Sequence, residues 1–382
     1  MAKLKFNVDD VLPRLSQVSG VVNAKSPLQI LGNVVFVTRM GTDESERRFM
    51  LMTSDSETWL TVNVPFEEFD ESMSFCVSAQ DIVKVLSNLK GKTVEMTLDD
   101  ETHTAKCSYG NGRFSLPFDA TTDFPNPVME MDGCHERAIV ASELLYAIGK
   151  TRYAIANDKL RPILNGVHFD FMPSCMVAVA TDGQKLAKYT DNAITHDGDE
   201  MVGFTLPEKP VNILASCLGG VDDEVSVVFN DKCVAFVCKG NFKLQTRLLE
   251  GNYPNYERVI PKDNAVETIV SRTELLDALK RVMPMGNEKS ELVKLTFTMG
   301  NVTVATEDEA FSKSADENVG CDYASQEIAI GFNGTMLAEI LQSIDDDNVR
   351  VCLKDPTRAG LFRPSTASET DDYVALLMPI FV

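Results

Sequence analysis

The chain contains one hairpin-like pattern three times, and this repeat constrains its fold more than any other feature. An alternating apolar run, a threonine followed by an acidic turn, and a second alternating run occur in "LMTSDSETWLTVNV" (51–64), "VAVATDGQKLAKYT" (177–190) and "VTVATEDEAFSKSA" (302–315). Their threonines, Thr53, Thr181 and Thr306, are 128 and 125 residues apart. Such a period in a chain of 382 residues predicts three tandem units.

Two sets of helical segments recur at nearly the same period. Acids in the first turn and apolar residues at i, i+3 and i+4 predict helices over 8–22, 141–155 and 272–285. A second set is predicted over 79–90, 208–218 and 333–344. A chance likeness among hairpins of a β-rich protein would not place several landmarks at an almost constant offset.

The order of predicted elements in each unit is strand, helix and strands, followed by the same series again. We therefore predict an α+β fold of three tandem similar domains, with boundaries at 1–128, 129–261 and 262–382. Proline at position 284 lacks a backbone N–H, so it should end the helix that begins at 272.

Composition narrows the class of protein further. An apolar content of 44% can fill three cores, and no run approaches the ~18 apolar residues of a membrane span, so no membrane partner is expected. The N-terminus becomes acidic before an apolar leader could form, which predicts a cytoplasmic protein. Nine cysteines without a C-x-x-C pair are expected to be reduced and mostly buried thiols.

Motifs for catalysis are not found. "GKT" occurs at 91–93 and 149–151, but Leu86 and Leu144 stand where a phosphate-binding loop needs glycine. The four histidines lie in separate segments without the spacing of metal ligands: His103, His135, His168 and His196. We predict no catalytic residue, no metal and no cofactor. The alternative that the protein is an enzyme would gain support if mutating one of these histidines abolished a catalytic turnover.

Charge placement matters more than total charge. The formal charge of -21 opposes nonspecific nucleic-acid binding. The six predicted helices nevertheless hold nine basic and eight acidic residues, whereas the remainder holds 27 basic and 49 acidic. If the helices share one side, that side is locally basic, although lysine and arginine near helix C-termini also suit the helix dipole.

The predicted DNA-facing residues are basic side chains on these helices or beside helix-to-strand turns. No pattern of arginine or asparagine suggests base reading, so the expected partner is duplex DNA without sequence specificity. The set is Lys25, Lys84, Lys90, Lys150, Arg152, Lys159, Arg161, Lys209, Lys280 and Arg281.

Five stretches of the sequence form a distinctive set: "RPILNGVHF" (161–169), "ATDGQKLA" (180–187), "EGNYPNYERVIP" (250–261), "IGFNGTMLAEIL" (330–341) and "YVALLMPIFV" (373–382). Together they resemble the bacterial DNA polymerase III beta subunit family, the sliding clamps. The resemblance runs from end to end. It implies the DNA clamp fold, in which a head-to-tail homodimeric ring has helices lining the inside and sheets outside. It also implies a non-catalytic role: a clamp loader opens the ring, which then tethers the polymerase to duplex DNA.

The resemblance also implies a pocket for short linear peptides from DNA polymerase, clamp loader and repair proteins. Gly183 in its turn is expected to let that hairpin invert and admit a peptide closely. Gln184 and Lys185 stand where the family often has His-Arg, and "PIFV" replaces its frequent Pro-Met-Arg-Leu ending, so peptide preference is open. The implied positions are Leu164, Thr181, Gly183, Gln184, Lys185, Leu186, Pro254, Arg258, Val259, Leu376, Leu377, Met378, Pro379 and Ile380.

For the dimer contact, the resemblance implies that Phe114 of one copy meets Pro284 and Met285 of the other. The alternative from another class is a repeat scaffold that binds only proteins and uses its acidic surface for solubility. That alternative predicts a monomer or open array and no retention on DNA that depends on a loader.

Overall fold

The computed structural model describes residues 2–23, 26–127, 133–195 and 201–381. All six predicted helices are confirmed within this part of the chain. They are α1 (Val8–Ser19), α2 (Ala79–Leu86), α3 (Ala141–Thr151), α4 (Glu208–Leu218), α5 (Arg272–Val282) and α6 (Gly334–Ser343).

Five of the six helices end earlier than the periodicity predicted. The last turn of α3 tightens into a 3₁₀ helix at Arg152–Ala154, and α5 gives way to a 3₁₀ helix at Met283–Met285. Pro284 lies in that 3₁₀ turn, so the prediction that it ends the helix is confirmed. The turn at Arg152–Ala154 still buries Ala154, whereas the turn at Met283–Met285 contains no buried side chain.

Polar side chains fix where several helices begin. Asn7 accepts a hydrogen bond from the N–H of Asp9 at the start of α1, and Ser271 accepts one from Glu274 at the start of α5. These caps satisfy N–H groups that have no partner inside the helix. Behind its cap, α1 buries Val8, Val11, Leu15 and Val18, the spacing of one helical face.

Strands form the rest of the fold, and every pair of neighbours is antiparallel. Their bounds through the first repeat are β1 (Lys3–Asn7), β2 (Asn33–Arg39), β3 (Arg48–Ser54), β4 (Thr58–Val64), β5 (Glu68–Phe69), β6 (Met73–Ser78), β7 (Thr93–Asp99), β8 (Thr104–Tyr109), β9 (Gly112–Pro117) and β10 (Asp119–Ala120). Those of the second are β11 (His135–Val140), β12 (Gly166–Met172), β13 (Cys175–Thr181), β14 (Lys185–Asp191), β15 (Val202–Pro207), β16 (Glu224–Phe229), β17 (Cys233–Cys238) and β18 (Phe242–Arg247). Those of the third are β19 (Val266–Ser271), β20 (Leu292–Thr298), β21 (Asn301–Asp308), β22 (Lys313–Gly320), β23 (Ile328–Asn333), β24 (Asn348–Leu353), β25 (Gly360–Pro364) and β26 (Asp371–Leu377).

The chain forms two compact units. Residues 1–145 and 209–248 form the first, with sheets in the order β5-β1-β7-β8-β9 and β10-β6-β2-β3-β4-β18-β17-β16-β11. Residues 146–208 and 249–382 form the second, with sheets in the order β15-β12-β13-β14-β26-β25-β24-β19 and β22-β21-β20-β23. In these units α1 packs against α2, and α5 packs against α6.

Two strand pairs join neighbouring repeats. In the first unit β4 pairs with β18, and in the second unit β14 pairs with β26. The middle repeat therefore contributes to both units, which the predicted boundaries did not anticipate. Those boundaries stay a prediction, and the one at 128/129 lies in residues 128–132, outside the described residues.

The three predicted hairpins are present, but the three threonines do not occupy equivalent positions in them. Thr181 pairs with Leu186 across its hairpin, and the corresponding pair in the first hairpin is Ser54 with Trp59. Ser54 and Thr181 also both accept a hydrogen bond from the N–H two residues later. Thr181 therefore corresponds to Ser54, because the turn determines the register of a hairpin.

Thiols and helix lengths bear on two further predictions. All nine cysteines are free, and seven of them are buried. Burial raises the pKa of Cys76 and Cys107 to about 12, which keeps these thiols protonated and unreactive. Of the described helices, none is long and apolar enough to cross a membrane.

Candidate functional site

The hairpin of β13 and β14 and the neighbouring strand β26 bring together many of the predicted pocket residues. Leu186 lies opposite both Thr181 and Leu376, so these three residues share one face of the sheet, here called the Leu186 face. Tyr256 and Ile260 belong to the same buried cluster as Leu186 and Leu376. The segment with Pro254, Arg258 and Val259 therefore packs on the Leu186 face.

Exposed apolar side chains lie beside this buried cluster. Val259 is 58% exposed and Met378 is 46% exposed, whereas Leu164, Leu186 and Leu376 are buried. The N–H of Met378 donates to the Gln184 carbonyl oxygen at 2.8 Å, which joins the tail to the hairpin turn. Apolar surface rimmed by polar groups can accept leucine or phenylalanine side chains of a peptide.

The remaining predicted pocket residues have distinct places. Pro254 and Arg258 are exposed, and Pro379 and Ile380 are partly buried. The N–H of Ile380 donates to the carbonyl oxygen of Gly331 at 2.8 Å, so the tail is held by backbone bonds at two points.

The turn at 182–184 is built by side chains that bond to the backbone. Asp182 Oδ1 accepts the N–H groups of Gln184 and Lys185, each at 2.8 Å. Thr181 Oγ1 donates to the Lys185 carbonyl oxygen at 2.7 Å and accepts the N–H of Gly183 at 3.1 Å. These bonds hold Gly183 at a φ of 92°.

The inverted backbone at Gly183 agrees with the sequence, but it is not peculiar to this hairpin. Ser56, at the corresponding position of the first hairpin, has a φ of 77°. What distinguishes Gly183 is the absence of a side chain beside Arg161: a Cβ there would lie 3.3 Å from Arg161 Nη2. The glycine thus permits close approach of a guanidinium as well as the turn.

Replacing Gly183 by alanine is expected to destabilise the hairpin by about 1–2 kcal/mol, because L-residues are strained at positive φ. The added Cβ would also displace Arg161. Thermal unfolding measures the effect, and Ser56→Ala is the matched control because position 56 already carries a side chain at positive φ. Equal melting temperatures for G183A and the unmodified protein would contradict this expectation.

Two predicted pocket residues lie on the opposite face of the sheet. Lys185 pairs across the strands with Leu377, and both are buried. Lys185 Nζ lies 2.5 Å from Glu339 Oε2, on α6, and 3.8 Å from Asp182 Oδ2. Because side chains alternate along a strand, Lys185 and Leu377 cannot face a ligand on the Leu186 face. Lys185 instead joins β14 to α6 through its ion pair with Glu339.

Two predicted DNA-facing residues, Lys150 and Arg161, form ion pairs within the protein. Lys150 is 5% exposed, and its ammonium pairs with Asp345 at 2.8 Å and donates to the Ser343 carbonyl oxygen. A buried, paired ammonium is not available to phosphate in this conformation. Arg161 pairs with Asp158 at 2.8 Å and lies against Gly183, so it is placed at the turn of the β13–β14 hairpin, although it was predicted to face DNA.

Lys25 lies outside the described residues, and the other predicted DNA-facing residues are exposed. Lys209, Lys280 and Arg281 are paired with Asp55, Asp277 and Glu317. Of the predicted DNA-facing residues in the described ranges, four exposed ones form no ion pair: Lys84, Lys90, Arg152 and Lys159. These four are the better candidates for phosphate contacts.

Helix ends alter the predicted charge balance. Lys90 and Arg152 lie just beyond α2 and α3, so the observed helices hold seven basic and eight acidic residues. The helices are therefore near neutral, instead of slightly basic, in a chain of net charge -21. The contrast with the rest of the chain remains, but part of the positive charge lies on the turns that follow the helices.

The predicted dimer residues lie on one edge strand, β9, and in a turn that contacts another edge strand, β22. Phe114 lies partly buried on the edge strand β9. Its ring contacts the ring of Tyr109, with 6.2 Å between the centroids. Met285 is 43% exposed and Pro284 is exposed, in the 3₁₀ turn that ends α5. Strand β22 is the edge strand of the sheet β22-β21-β20-β23, and it begins directly after the third hairpin turn.

Comparison with known structures places this architecture among the DNA clamps. A sliding clamp from Pseudomonas aeruginosa bound to griselimycin matches with a TM-score of 0.90 and 26% identity, covering 100% of both chains. A sliding clamp from Bartonella birtlesii bound to griselimycin matches with a TM-score of 0.89 and 25% identity, again over 100% of both. The chain therefore has the three-domain clamp fold.

Sequence comparison identifies the family. Family models described as the N-terminal, central and C-terminal domains of the DNA polymerase III beta subunit match residues 2–128, 138–255 and 257–380. The beta sliding clamp of Pseudomonas putida is 27% identical over 371 residues, which is 97% of each chain. That of Treponema pallidum is 27% identical over 381 residues, which is 99% of each chain. This chain belongs to the DNA polymerase III beta subunit family, the sliding clamps.

Proposed function

We propose that two copies of this chain close head to tail into a ring that encircles duplex DNA and tethers the replicative polymerase. The ring holds DNA by enclosure and catalyses no reaction of its own. The clamp fold and the sliding-clamp relatives support this function. A role on the bacterial chromosome also implies the cytoplasm.

The observation that carries the proposal is a pair of unused strand edges. Strands β4 and β14 each follow a hairpin turn and pair with the last long strand of another repeat, β18 and β26. By the same logic β22 follows the third hairpin and β9 is its counterpart in the first repeat, yet each is an edge strand in the described sheets. Pairing β22 of one copy with β9 of another would give every pair of neighbouring repeats the same junction.

Side chains on these edges support such a contact. On β9, Phe114 and Leu116 are partly buried and Arg113 is exposed. On β22, Asp316 is exposed and Glu317 is partly exposed. Arg113 and Asp316 carry opposite charges, which stabilise a strand pair when they face each other across it. Free edges of this length otherwise promote aggregation, so a defined partner for them is expected.

Enclosure explains how an acidic protein can hold DNA. A ring needs no strong attraction to phosphate, because its retention does not depend on affinity. A few unpaired cations are then sufficient, and they keep sliding fast. We assign this role to Lys84, Lys90, Arg152 and Lys159.

The Leu186 face supplies the partner site in this proposal. Short linear peptides from polymerase, clamp loader and repair proteins would insert leucine or phenylalanine side chains beside Val259 and Met378. Polar contacts would come from Gln184, Arg258 and Arg161.

Retention on circular DNA is expected to end when the circle is cut. The protein is loaded onto a nicked circle by a bacterial clamp loader with ATP, separated by gel filtration, and then treated with a restriction enzyme. Encircled protein should elute with the circle and be lost from the linear product, because it slides off the ends. A linear product with both ends blocked by a bulky protein is the control and should retain it. Continued binding to linear DNA with free ends would refute enclosure.

A further inference from the structure

A buried polar network lies beneath one wall of the proposed pocket. His168 and Asp170 on β12 lie opposite Val179 and Val177, so both point to the Leu186 face. His168 Nε2 is 3.1 Å from Asp170 Oδ1, and His168 Nδ1 is 2.9 Å from Thr205 Oγ1. An ionised carboxylate only accepts hydrogen bonds, so this geometry assigns the proton to Nε2.

The network holds the segment 253–259, here called the pocket wall. The Tyr253 ring stacks on His168 with centroids 4.4 Å apart and planes inclined by 3°. The Tyr256 hydroxyl donates to Asp170 Oδ2 at 2.7 Å. Both tyrosines thus point inward to the same two residues of β12.

The inward contacts leave the other side of the wall for a ligand. Pro254, Arg258 and Val259 are exposed, while Tyr256 is buried. Glu257 forms an ion pair with Lys188 on β14. The wall is therefore clamped on one side and free on the other, although it contains only one short 3₁₀ turn, Tyr256–Arg258.

Asp170 is suited to this task because it stays ionised where it is. Its burial opposes ionisation, but hydrogen bonds from His168 and Tyr256 outweigh that effect and keep its pKa below the ordinary value. The buried carboxylate then depends on the tyrosine of the wall to satisfy it, and it would lose that partner if the wall moved away.

We propose that Asp170 and His168 are positioning residues for peptide binding, which hold the pocket wall so that Pro254, Arg258 and Val259 meet the ligand. This inference rests on the proposed peptide site. Preorganisation of this kind raises affinity because the wall is not ordered at the moment of binding.

The test measures binding of a fluorescent synthetic peptide containing leucine and phenylalanine to single variants. Asp170→Leu removes both acceptors and is expected to weaken binding about 10- to 30-fold, and Tyr256→Phe about 5-fold, since loss of a buried hydrogen bond releases the wall. Asp170→Asn keeps an acceptor for Tyr256, so binding should recover to within about 3-fold of the unmodified protein. The double variant D170L with Y256F should be no weaker than D170L alone, because both remove one bond.

Two further measurements keep the outcomes separate. Sedimentation velocity should show the same dimer for all these variants, and circular dichroism the same folded spectrum, because neither measurement uses the peptide site. Val259→Asp tests the pocket itself. If V259D abolishes binding while D170L and Y256F bind normally, the positioning role is wrong and the pocket stands. If D170N is as weak as D170L, or the double variant is additive, the shared hydrogen bond is not the cause. If V259D binds normally, the proposed peptide site fails.

Discussion

Replacing Ser115 by proline should convert the dimer into monomers. Ser115 lies on the edge strand β9, exposed, two residues before the end of that strand. Proline has no backbone N–H and blocks addition of a strand at the position where it stands. The variant should lose inter-strand hydrogen bonds and suffer a steric clash, and the two effects together should cost about 3 kcal/mol of association free energy. The dimer dissociation constant is therefore expected to rise about 100-fold or more.

The hairpin geometry makes this substitution selective. Strands β8 and β9 are joined by two residues, and Tyr109 pairs with Gly112 across that turn. A two-residue turn closes on a hydrogen-bonded pair, and such pairs then alternate along the ladder. Counting from Gly112, the N–H of Ser115 points away from β8 toward the free edge. The fold of the first unit should therefore survive.

Sedimentation velocity across a concentration series checks the result. Ser115→Thr keeps the N–H and is the matched control, which should remain dimeric. The monomeric variant should also be lost from circular DNA after loading. If S115P sediments as a dimer at all concentrations, the proposed β9–β22 junction is wrong, whatever other surface holds the copies together.

Deleting residues 378–382 is expected to abolish binding of polymerase peptides while the dimer stays intact. The deletion removes exposed Met378 and the backbone bond from its N–H to the Gln184 carbonyl oxygen. It also removes the bond from Ile380 to Gly331. The tail is far in sequence from both edge strands, and it forms no part of the proposed dimer contact.

The size of this effect follows from the small area of such a site. A short peptide is anchored by a few apolar side chains, and loss of one wall removes the contacts of at least one anchor. A loss of about 3 kcal/mol corresponds to more than 100-fold in affinity, beyond detection for a weak peptide. Fluorescence anisotropy with a synthetic polymerase peptide measures binding, and sedimentation reports the dimer.

A point variant separates loss of the Met378 side chain from loss of the tail's backbone hydrogen bonds. Met378→Asp keeps the backbone bonds but places a charge in the apolar site, and it should weaken binding strongly. Met40→Asp is the matched control, because Met40 is similarly exposed, at 49%, and lies in the first unit. Unchanged affinity in both the deletion and M378D would refute the assignment of the tail to the pocket.

Local sequence was sufficient to predict the elements of this fold. Apolar periodicity and capping residues predicted the six helices, and Pro284 predicted the end of α5, because these signals act within a few residues. Helix ends and the equivalence of Ser54 with Thr181 were missed, since both depend on how a turn closes against its own strand.

The candidate site was only partly predictable. Short motifs marked the turn of Gly183 and the tail, but adjacent residues such as Lys185 and Leu186 were assigned to one pocket although they point to opposite faces. Arg161 was assigned to DNA because a basic residue after a helix gives no sign of its partner. Its place against Gly183 depends on the pairing of segments 20 or more residues apart in the sequence.

What the sequence determined by itself is the repeated unit: its helices, its hairpins and the acidic composition of the whole chain. The tertiary structure decided which strand edges are used within the chain and which remain free, and which side chains at the pocket face a ligand. The physical reason is the range of the interactions. Helix and turn propensities act between neighbours, whereas a strand edge or a buried cation such as Lys150 acquires its partner only when distant segments pack together.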